Sequence, residues 1–447
     1  MRLRRVLLGL LGAALLGAAG TLYLASQPAI PASDPPVKTT FDKTLIARGA
    51  ELAHIGNCGV CHTKPDGIPY AGGRPMPTPF GTIYATNITP DAETGIGHWS
   101  EAAFLRAMQE GVRRDGAHLY PAFPYDHFTK VSANDLRAIY AFLMTREPGR
   151  AQTPANELVF PFHIRELIAG WKLLFFQRGE FKPDPVLTPE LNHGAYLVEG
   201  LAHCGACHTP RNTLGAEKLS RHLGGGEAED WHAPALNATS TAPVPWTSDQ
   251  LFAYLRKGFV EPHGVAAGPM QDVANNLGKV PEQDVKAIAT YIGALLGPPT
   301  ANRQAKTDKL VTRTERGSGS RALGDHTEGN TDGAVIYAGA CASCHEPTGQ
   351  QFSARGIHLA SSKVLTMPDP RNLAYVILDG IDPPVGTPSA LMPGYADALT
   401  EQQITALMIY LRGNFTDKPA WSDVEGAVRK AKHNPPEKSR SAPTATR

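Results

Sequence analysis

The sequence predicts an all-α protein in which three tandem helical domains follow an N-terminal transmembrane or signal segment. Three observations predict this class. One five-residue motif occurs three times, an amphipathic helical pattern recurs after each copy, and 447 residues suffice for about three domains of ordinary size. With 44 glycines, 38 prolines and 7% aromatic residues, the composition favours loops and small helical domains over extensive sheet. A formal net charge of +1 argues against nucleic acid as a partner.

The N-terminal segment, residues 1–30, is expected to be a membrane anchor. Basic residues precede an apolar run from Val6 to Ala25. About twenty helical residues, at a rise of about 1.5 Å each, span the roughly 30 Å hydrocarbon core of a bilayer. Because the basic side stays in the cytoplasm, the rest of the chain is expected on the periplasmic side of the bacterial inner membrane. A cleaved signal peptide is the alternative.

The repeated motif is Cys-x-x-Cys-His, the attachment signature of a c-type heme. Two cysteines add to the vinyl groups of one porphyrin, and the histidine becomes the proximal iron ligand. A single Cys-x-x-Cys pair could bind zinc or act as a redox pair, but here the motif uses all six cysteines. The three copies are Cys58, Cys61 and His62; Cys204, Cys207 and His208; and Cys341, Cys344 and His345. We therefore expect three covalently bound heme c groups and three cytochrome c domains.

The domain boundaries follow from a repeated order of elements. Each copy has a Gly-Ala pair, interpreted as a helix start, 8 to 10 residues before the first cysteine, at Gly49, Gly194 and Gly333. Each ends in a helix with apolar residues at i, i+3, i+4 and i+7. Cytochrome c domains are therefore predicted at residues 40–150, 188–298 and 331–416.

The remaining segments have different compositions. Residues 151–187 are too apolar for a free linker, and we expect an amphipathic helix that packs the first two domains together. A membrane-surface or partner contact is the alternative. Residues 299–330 are polar and without periodicity, which predicts a flexible linker. Residues 417–447 form a polar tail that we expect to be disordered.

Two methionines are candidates for the sixth iron ligand. Met270 and Met392 each lie 12 residues after a glycine, Gly258 and Gly380, and both are expected in loops beside a proline. A thioether is a soft ligand that raises the reduction potential of heme iron. Three other methionines fall within helical patterns and are interpreted as core residues: Met108, Met144 and Met408.

The first copy departs from this spacing. The residue 12 positions after Gly111 is Phe123, whose ring cannot bind iron. The first heme is therefore expected to be five-coordinate or to be bound by a displaced ligand. The candidates within reach along the sequence are His118, His127, Met76 and Met144.

Several longer strings carry a family resemblance. They are Thr78–Pro90, Gly95–Gly97, Tyr120–Ala122 and Gly205–Asn212. On these strings, residues 40 to 415 resemble the three-heme cytochrome c subunits of bacterial periplasmic dehydrogenases, the group that serves alcohol, gluconate and sorbitol dehydrogenases. Phe123, together with residues 169–176 and 352–356, is more similar to the cytochromes paired with molybdenum hydroxylases, which oxidise nicotinate, isoquinoline or aldehydes.

The resemblance implies an electron-transfer subunit with no substrate-oxidising site of its own. Electrons would pass from a molybdenum hydroxylase and its iron–sulfur subunit through the hemes to ubiquinone or a terminal oxidase at the membrane. A cytochrome subunit of a quinoprotein or flavoprotein alcohol or sugar dehydrogenase is the alternative. The residues leave two other classes open: a heme enzyme acting on a small ligand at an open first heme, and a sensor or assembly module.

Overall fold

The structure is a computed structural model that describes residues 27–36, 38–301, 304–305, 307–309, 331–345, 359–382 and 392–434, together with four isolated glycines near the N-terminus. The predicted anchor and linker lie largely outside these ranges. The predicted tail is described as far as Asn434 and contains the helix Val424–His433, so the expectation of disorder was wrong for that part. Within them, no helix is both long and apolar enough to cross a membrane.

The described chain is rich in helices, which make up 47% of it. The first repeat, residues 40–150, contains five helices: α1 Lys43–Ile55, α2 Cys58–Cys61, α3 Glu101–Glu110, α4 Tyr125–Phe128 and α5 Ala133–Met144. Helix α6, Leu167–Phe175, follows it. The second repeat, residues 188–298, contains α7 Pro189–Tyr196, a π-helical turn Leu197–Leu201, α8 Gly205–His208, α9 Ser248–Lys257, α10 Pro269–Leu277 and α11 Glu282–Leu296. The third repeat, residues 331–416, contains α12 Thr331–Ala340, α13 Ala342–His345, α14 Lys363–Thr366, α15 Arg371–Asp379 and α16 Glu401–Phe415, and α17 Val424–His433 follows it.

Short antiparallel strands interrupt the helices. The first sheet has the order β1 Pro75–Thr78, β2 Gly81–Tyr84 and β3 Glu157–Leu158. Two hairpins lie in the second repeat: β4 Gly226–Ala228 with β5 Trp231–Ala233, and β6 Phe259–Val260 with β7 Gly264–Val265. The expectation of an all-α protein is therefore confirmed as a helix-rich fold, with hairpins in loops that the helical periodicity did not predict.

In each repeat, the helix before the motif crosses the repeat's long helix at a glycine. A Cβ built at Gly49 would collide with the carbonyl oxygen of Ala138, and Gly194 and Gly333 meet Ala287 and Ala406 in the same way. These glycines lie inside α1, α7 and α12, so their interpretation as helix starts was wrong. Glycine is required at the crossing because the two backbones touch there.

The buried side chains form two clusters. The larger cluster is continuous across the first and second repeats, from Leu52 and Leu136 to Leu197 and Val285. The third repeat has its own cluster, which includes Tyr337, Leu373 and Ile404. The first two repeats therefore share one core, whereas the third is joined to them by other contacts.

Helix α6 lies against both of the first two repeats. The indole Nε1 of Trp171 donates to the carbonyl oxygen of Leu214 in the second repeat at 2.9 Å. The ammonium of Lys172 donates to the carbonyl oxygen of Glu110 in the first repeat at 2.6 Å. The opposite side of the helix is exposed, since Leu174 keeps 70% of its surface accessible.

The β4–β5 turn joins all three repeats. Its two central residues, Glu229 and Asp230, have positive φ angles of 49° and 66°. The Glu229 carboxylate accepts two hydrogen bonds from Arg74 of the first repeat, at 2.9 and 3.1 Å. A two-residue turn with both φ positive normally favours Asn-Gly or Asp-Gly. The chain here places two carboxylates in that strained backbone.

Asp230 is one of several contacts to the third repeat. Its carboxylate accepts a hydrogen bond from Tyr375 Oη at 2.5 Å and forms ion pairs with Lys430 and Arg371 at 2.7 and 3.2 Å. Burial of Asp230 opposes ionisation, but the hydrogen bonds from Lys430 and Tyr375 outweigh it and lower the pKa of the carboxyl. The third repeat is therefore docked on the second, whatever the form of the linker between them.

Candidate heme-binding sites

The three motifs adopt the same local geometry. Each fits within about one helical turn, in which the histidine amide donates to the first cysteine's carbonyl oxygen at 3.0 Å, as in His62 to Cys58. His208 to Cys204 and His345 to Cys341 repeat the bond at the same distance. Residues at i, i+3 and i+4 of a helical turn lie on one face. The two thiols and the imidazole can therefore meet one planar group.

The first two histidines have a defined tautomer. Nδ1 of His62 lies 2.6 Å from the carbonyl oxygen of Thr86, and Nδ1 of His208 lies 2.6 Å from that of Pro234. A carbonyl only accepts hydrogen bonds, so Nδ1 carries the proton and Nε2 keeps its lone pair. Burial lowers the pKa of both imidazoles and so favours the neutral form that binds a metal.

The cysteine thiols do not have the properties of a redox pair. Burial raises the pKa of Cys58 and Cys204 to about 12 and that of Cys61 and Cys207 to about 11. A reactive cysteine needs a lowered pKa, because the thiolate is the nucleophile. Among the described residues, the one cluster of three potential metal-ligating side chains is Asp126, His127 and Glu217, which includes no cysteine.

The motifs open onto two large cavities. The first, of about 2670 Å³, is lined by Cys58, Cys61 and His62. The second, of about 970 Å³, is lined by both the second and third motifs. Pockets of about 300–1000 Å³ hold small molecules and cofactors. Thiols, a lone-pair nitrogen and apolar walls on one cavity fit a covalently attached heme.

The two cavities adjoin each other. Cys207 of the second motif lines both, as do Asn57 and His203. The first and second sites therefore share wall residues, and the second and third motifs border one cavity.

Met270 and Met392 both line the second cavity. Met392 lies in a loop, as predicted, and its backbone pairs with that of Ile381 at 2.9 and 3.1 Å. Met270 lies in the first turn of α10, so its assignment to a loop was wrong. Pro269 begins that helix because the first helical position needs no amide donor.

The four candidate ligands for the first heme are placed differently. Met76 lines the first cavity from β1, and Phe123 also lines it. Met144 is 1% exposed and lies in the shared core rather than on a cavity wall. Both ring nitrogens of His127 are engaged, Nδ1 with Glu199 O and Nε2 with Glu217 Oε1, each at 2.8 Å. His118 is away from the wall, with Nδ1 3.0 Å from the Lys172 ammonium.

Sequence reasoning missed two arginines. Arg74 donates to the carbonyl oxygen of Val60 at 2.9 Å, and Arg211 donates to that of Ala206 at 3.0 Å. Val60 and Ala206 hold the same position in the first and second motifs. The arginines follow their motifs at different distances along the chain, so no repeated spacing could reveal them.

Comparisons with known proteins agree with these sites. The family model described as cytochrome c oxidase, cbb3-type, subunit III matches residues 328–411. The fructose dehydrogenase cytochrome subunit of Gluconobacter japonicus is 35% identical over 403 residues, 86% of this chain and 82% of that protein. The chain belongs to the family of dehydrogenase cytochrome c subunits. The resemblance inferred from the sequence is therefore confirmed, and membership in this family implies covalently bound heme c.

Two further relatives extend the comparison. The cytochrome c subunit of alcohol dehydrogenase (quinone) from Gluconobacter oxydans is 35% identical over 384 residues, 83% of this chain and 78% of that protein. A nicotinate dehydrogenase subunit of Pseudomonas putida is 45% identical over 404 residues, 90% of this chain. The chain spans only 33% of the length of that relative.

Proposed function

We propose that this chain is a three-heme relay that carries electrons from a dehydrogenase to the respiratory chain. The observation that carries the proposal is the shared wall: Cys207 borders both cavities, and the second and third motifs face the same one. A relay needs its redox groups close together, and the adjoining cavities support that role.

Each repeat is proposed to be one cytochrome c domain, at residues 40–150, 188–298 and 331–416. The six cysteines would attach the hemes, and His62, His208 and His345 would bind the irons. Met270 and Met392 would be sixth ligands in the second and third sites. Heme supplies one-electron redox chemistry, whereas the protein sets the ligands, the burial and the spacing.

The partner is proposed to be a molybdenum hydroxylase with an iron–sulfur subunit, and the acceptor ubiquinone or a terminal oxidase. The 45% identity to the nicotinate dehydrogenase relative supports this partner. The relatives named for alcohol and fructose dehydrogenase favour the alternative, a quinoprotein or flavoprotein dehydrogenase. Affinity purification of the chain from its own cells distinguishes the two, because the captured catalytic subunit carries either molybdenum or a quinone or flavin.

The relay is proposed to lie on the periplasmic side of the inner membrane, held by residues 1–30. An anchored chain stays with membranes in high salt and is released by detergent. A soluble mature chain that begins near Gln27 would establish the cleaved signal peptide instead.

The heme count tests the relay directly. A pyridine hemochrome assay on the intact protein should give three hemes, and Cys204→Ser should give two. Ser343→Ala, a change inside the third motif that removes no thiol, is the matched control and should keep three. A count of one or two in the unaltered protein would refute the relay.

A further inference from the structure

The walls of the three heme sites show an exchange of residue types between two positions. Both positions are counted from the glycine that ends the middle helix of each repeat, Gly111, Gly258 or Gly380. Three residues before the glycine stand Met108, Leu255 and Ile377; twelve residues after it stand Phe123, Met270 and Met392. The first repeat therefore has its methionine on the helix and its bulky apolar residue on the loop, the reverse of the other two.

We propose that Met108 is the sixth ligand of the first heme, supplied from helix α3. This rests on the proposed three-heme relay and assigns a ligand role to a residue that the helical pattern alone places in the core. In place of an open iron, the first site then has the same histidine and thioether pair as the others.

The two positions correspond in structure as well as in sequence. Gly111, Gly258 and Gly380 all cap their helices with positive φ, at 61°, 70° and 73°. The loop then returns in the same way in the first two repeats: the amide eight residues later, Leu119 or Ala266, donates to the glycine carbonyl at 2.8 Å. Phe123 and Met270 therefore follow equivalent turns.

All six side chains border the heme cavities. Met108 and Phe123 line the first cavity together with His62, and the other four line the second. Met108 is buried, with 5% of its surface exposed. An exchange of a thioether and a bulky apolar side chain between two positions on the same wall keeps the volume of the wall and moves the sulfur only. Its three rotatable bonds let a methionine side chain extend from a helix towards a neighbouring group.

Two of the other potential ligands on the first wall are Met76 and His203. Met76 is in the β1–β2 hairpin, which leads into Thr86, the residue that holds His62. Met108 comes from a different element of the wall, helix α3. His203 also lines the cavity, but its Nε2 lies 3.3 Å from the carbonyl oxygen of Gly56, two residues before the first motif.

The test uses the full-length protein with its hemes attached and three variants. Met108→Leu installs the residue of the second repeat, and Met76→Leu is the matched control on the same cavity. The third variant, Met108→Leu with Phe123→Met, moves the sulfur to the position used by the other repeats. Paramagnetic resonance of the oxidised protein and carbon monoxide binding by the reduced protein report the coordination of each iron.

The unaltered protein and Met76→Leu should show three low-spin hemes and little carbon monoxide binding. Met108→Leu should convert one heme to high spin, bind about one carbon monoxide per chain and lower the potential of one heme. The double variant should restore the low-spin signal. A high-spin heme in the unaltered protein, or three low-spin hemes in Met108→Leu, would overturn the assignment. A hemochrome count below three would instead refute the relay.

Discussion

Replacing Asp230 by asparagine tests whether the β4–β5 turn holds the third repeat against the second. Asparagine has nearly the same size and tolerates the positive φ of this position, so the turn itself should survive. What the change removes is the negative charge that faces Lys430 and Arg371. Any loss of docking is therefore assignable to that charge.

The expected loss is modest and can be worked from the contacts. The side chains of Asp230, Arg371 and Lys430 are 32%, 21% and 57% exposed, so each ion pair contributes about 0.2–1 kcal/mol. The hydrogen bond from Tyr375 to a charged acceptor contributes about 1.5–3 kcal/mol, of which a neutral amide keeps part. Together these give about 2 kcal/mol, or roughly a 30-fold change in the docking equilibrium.

Hydrogen exchange of the intact holoprotein measures this change locally. Amides of α15, which contacts the turn, should exchange roughly 30-fold faster in Asp230→Asn, whereas those of α5 should not change. Glu229→Gln, on the same turn, is the matched control and should weaken the contact with Arg74 instead. Unchanged exchange in α15, or equal acceleration of α15 by Glu229→Gln, would refute the reasoning.

Two further predictions concern stability, measured by denaturant unfolding. Gly333→Ala should cost the third repeat about 3 kcal/mol because its Cβ meets the Ala406 carbonyl, whereas Gly339→Ala on the same helix has open space and should gain about 0.5–1 kcal/mol. The pKa of His127 lies above its ordinary value of 6.5: burial alone would lower it, but the hydrogen bond and charge of the Glu217 carboxylate have the larger effect. The contribution of this pair to the free energy of unfolding is therefore complete below pH 6.5 and is lost as the pH rises through the folded pKa. Glu217→Gln should remove this pH dependence of stability. An unchanged pH profile in that variant would contradict the assignment.

Local chemistry in the sequence was enough to predict the long helix that ends each repeat. The periodic apolar residues of α5, α11 and α16 lie in buried clusters, and Ser132 and Thr400 cap their helices through their side chains. The attachment motif could be recognised for the same reason. Its residues lie within about one helical turn, so their spacing along the chain already fixes their relative positions.

Contacts between distant residues could not be predicted in this way. The sequence placed the glycines at helix starts, whereas the structure places them where α1, α7 and α12 touch a helix that comes about 70 to 90 residues later. It joined the first two repeats only through residues 151–187 and tethered the third by a flexible linker, whereas the first two share a core and the β4–β5 turn binds both neighbours. The sequence by itself determined which cysteines and histidines are candidates to attach heme and bind its iron, because that chemistry is local. Tertiary structure alone decided which side chains face each cavity and which cavities adjoin, because both depend on how separate helices pack.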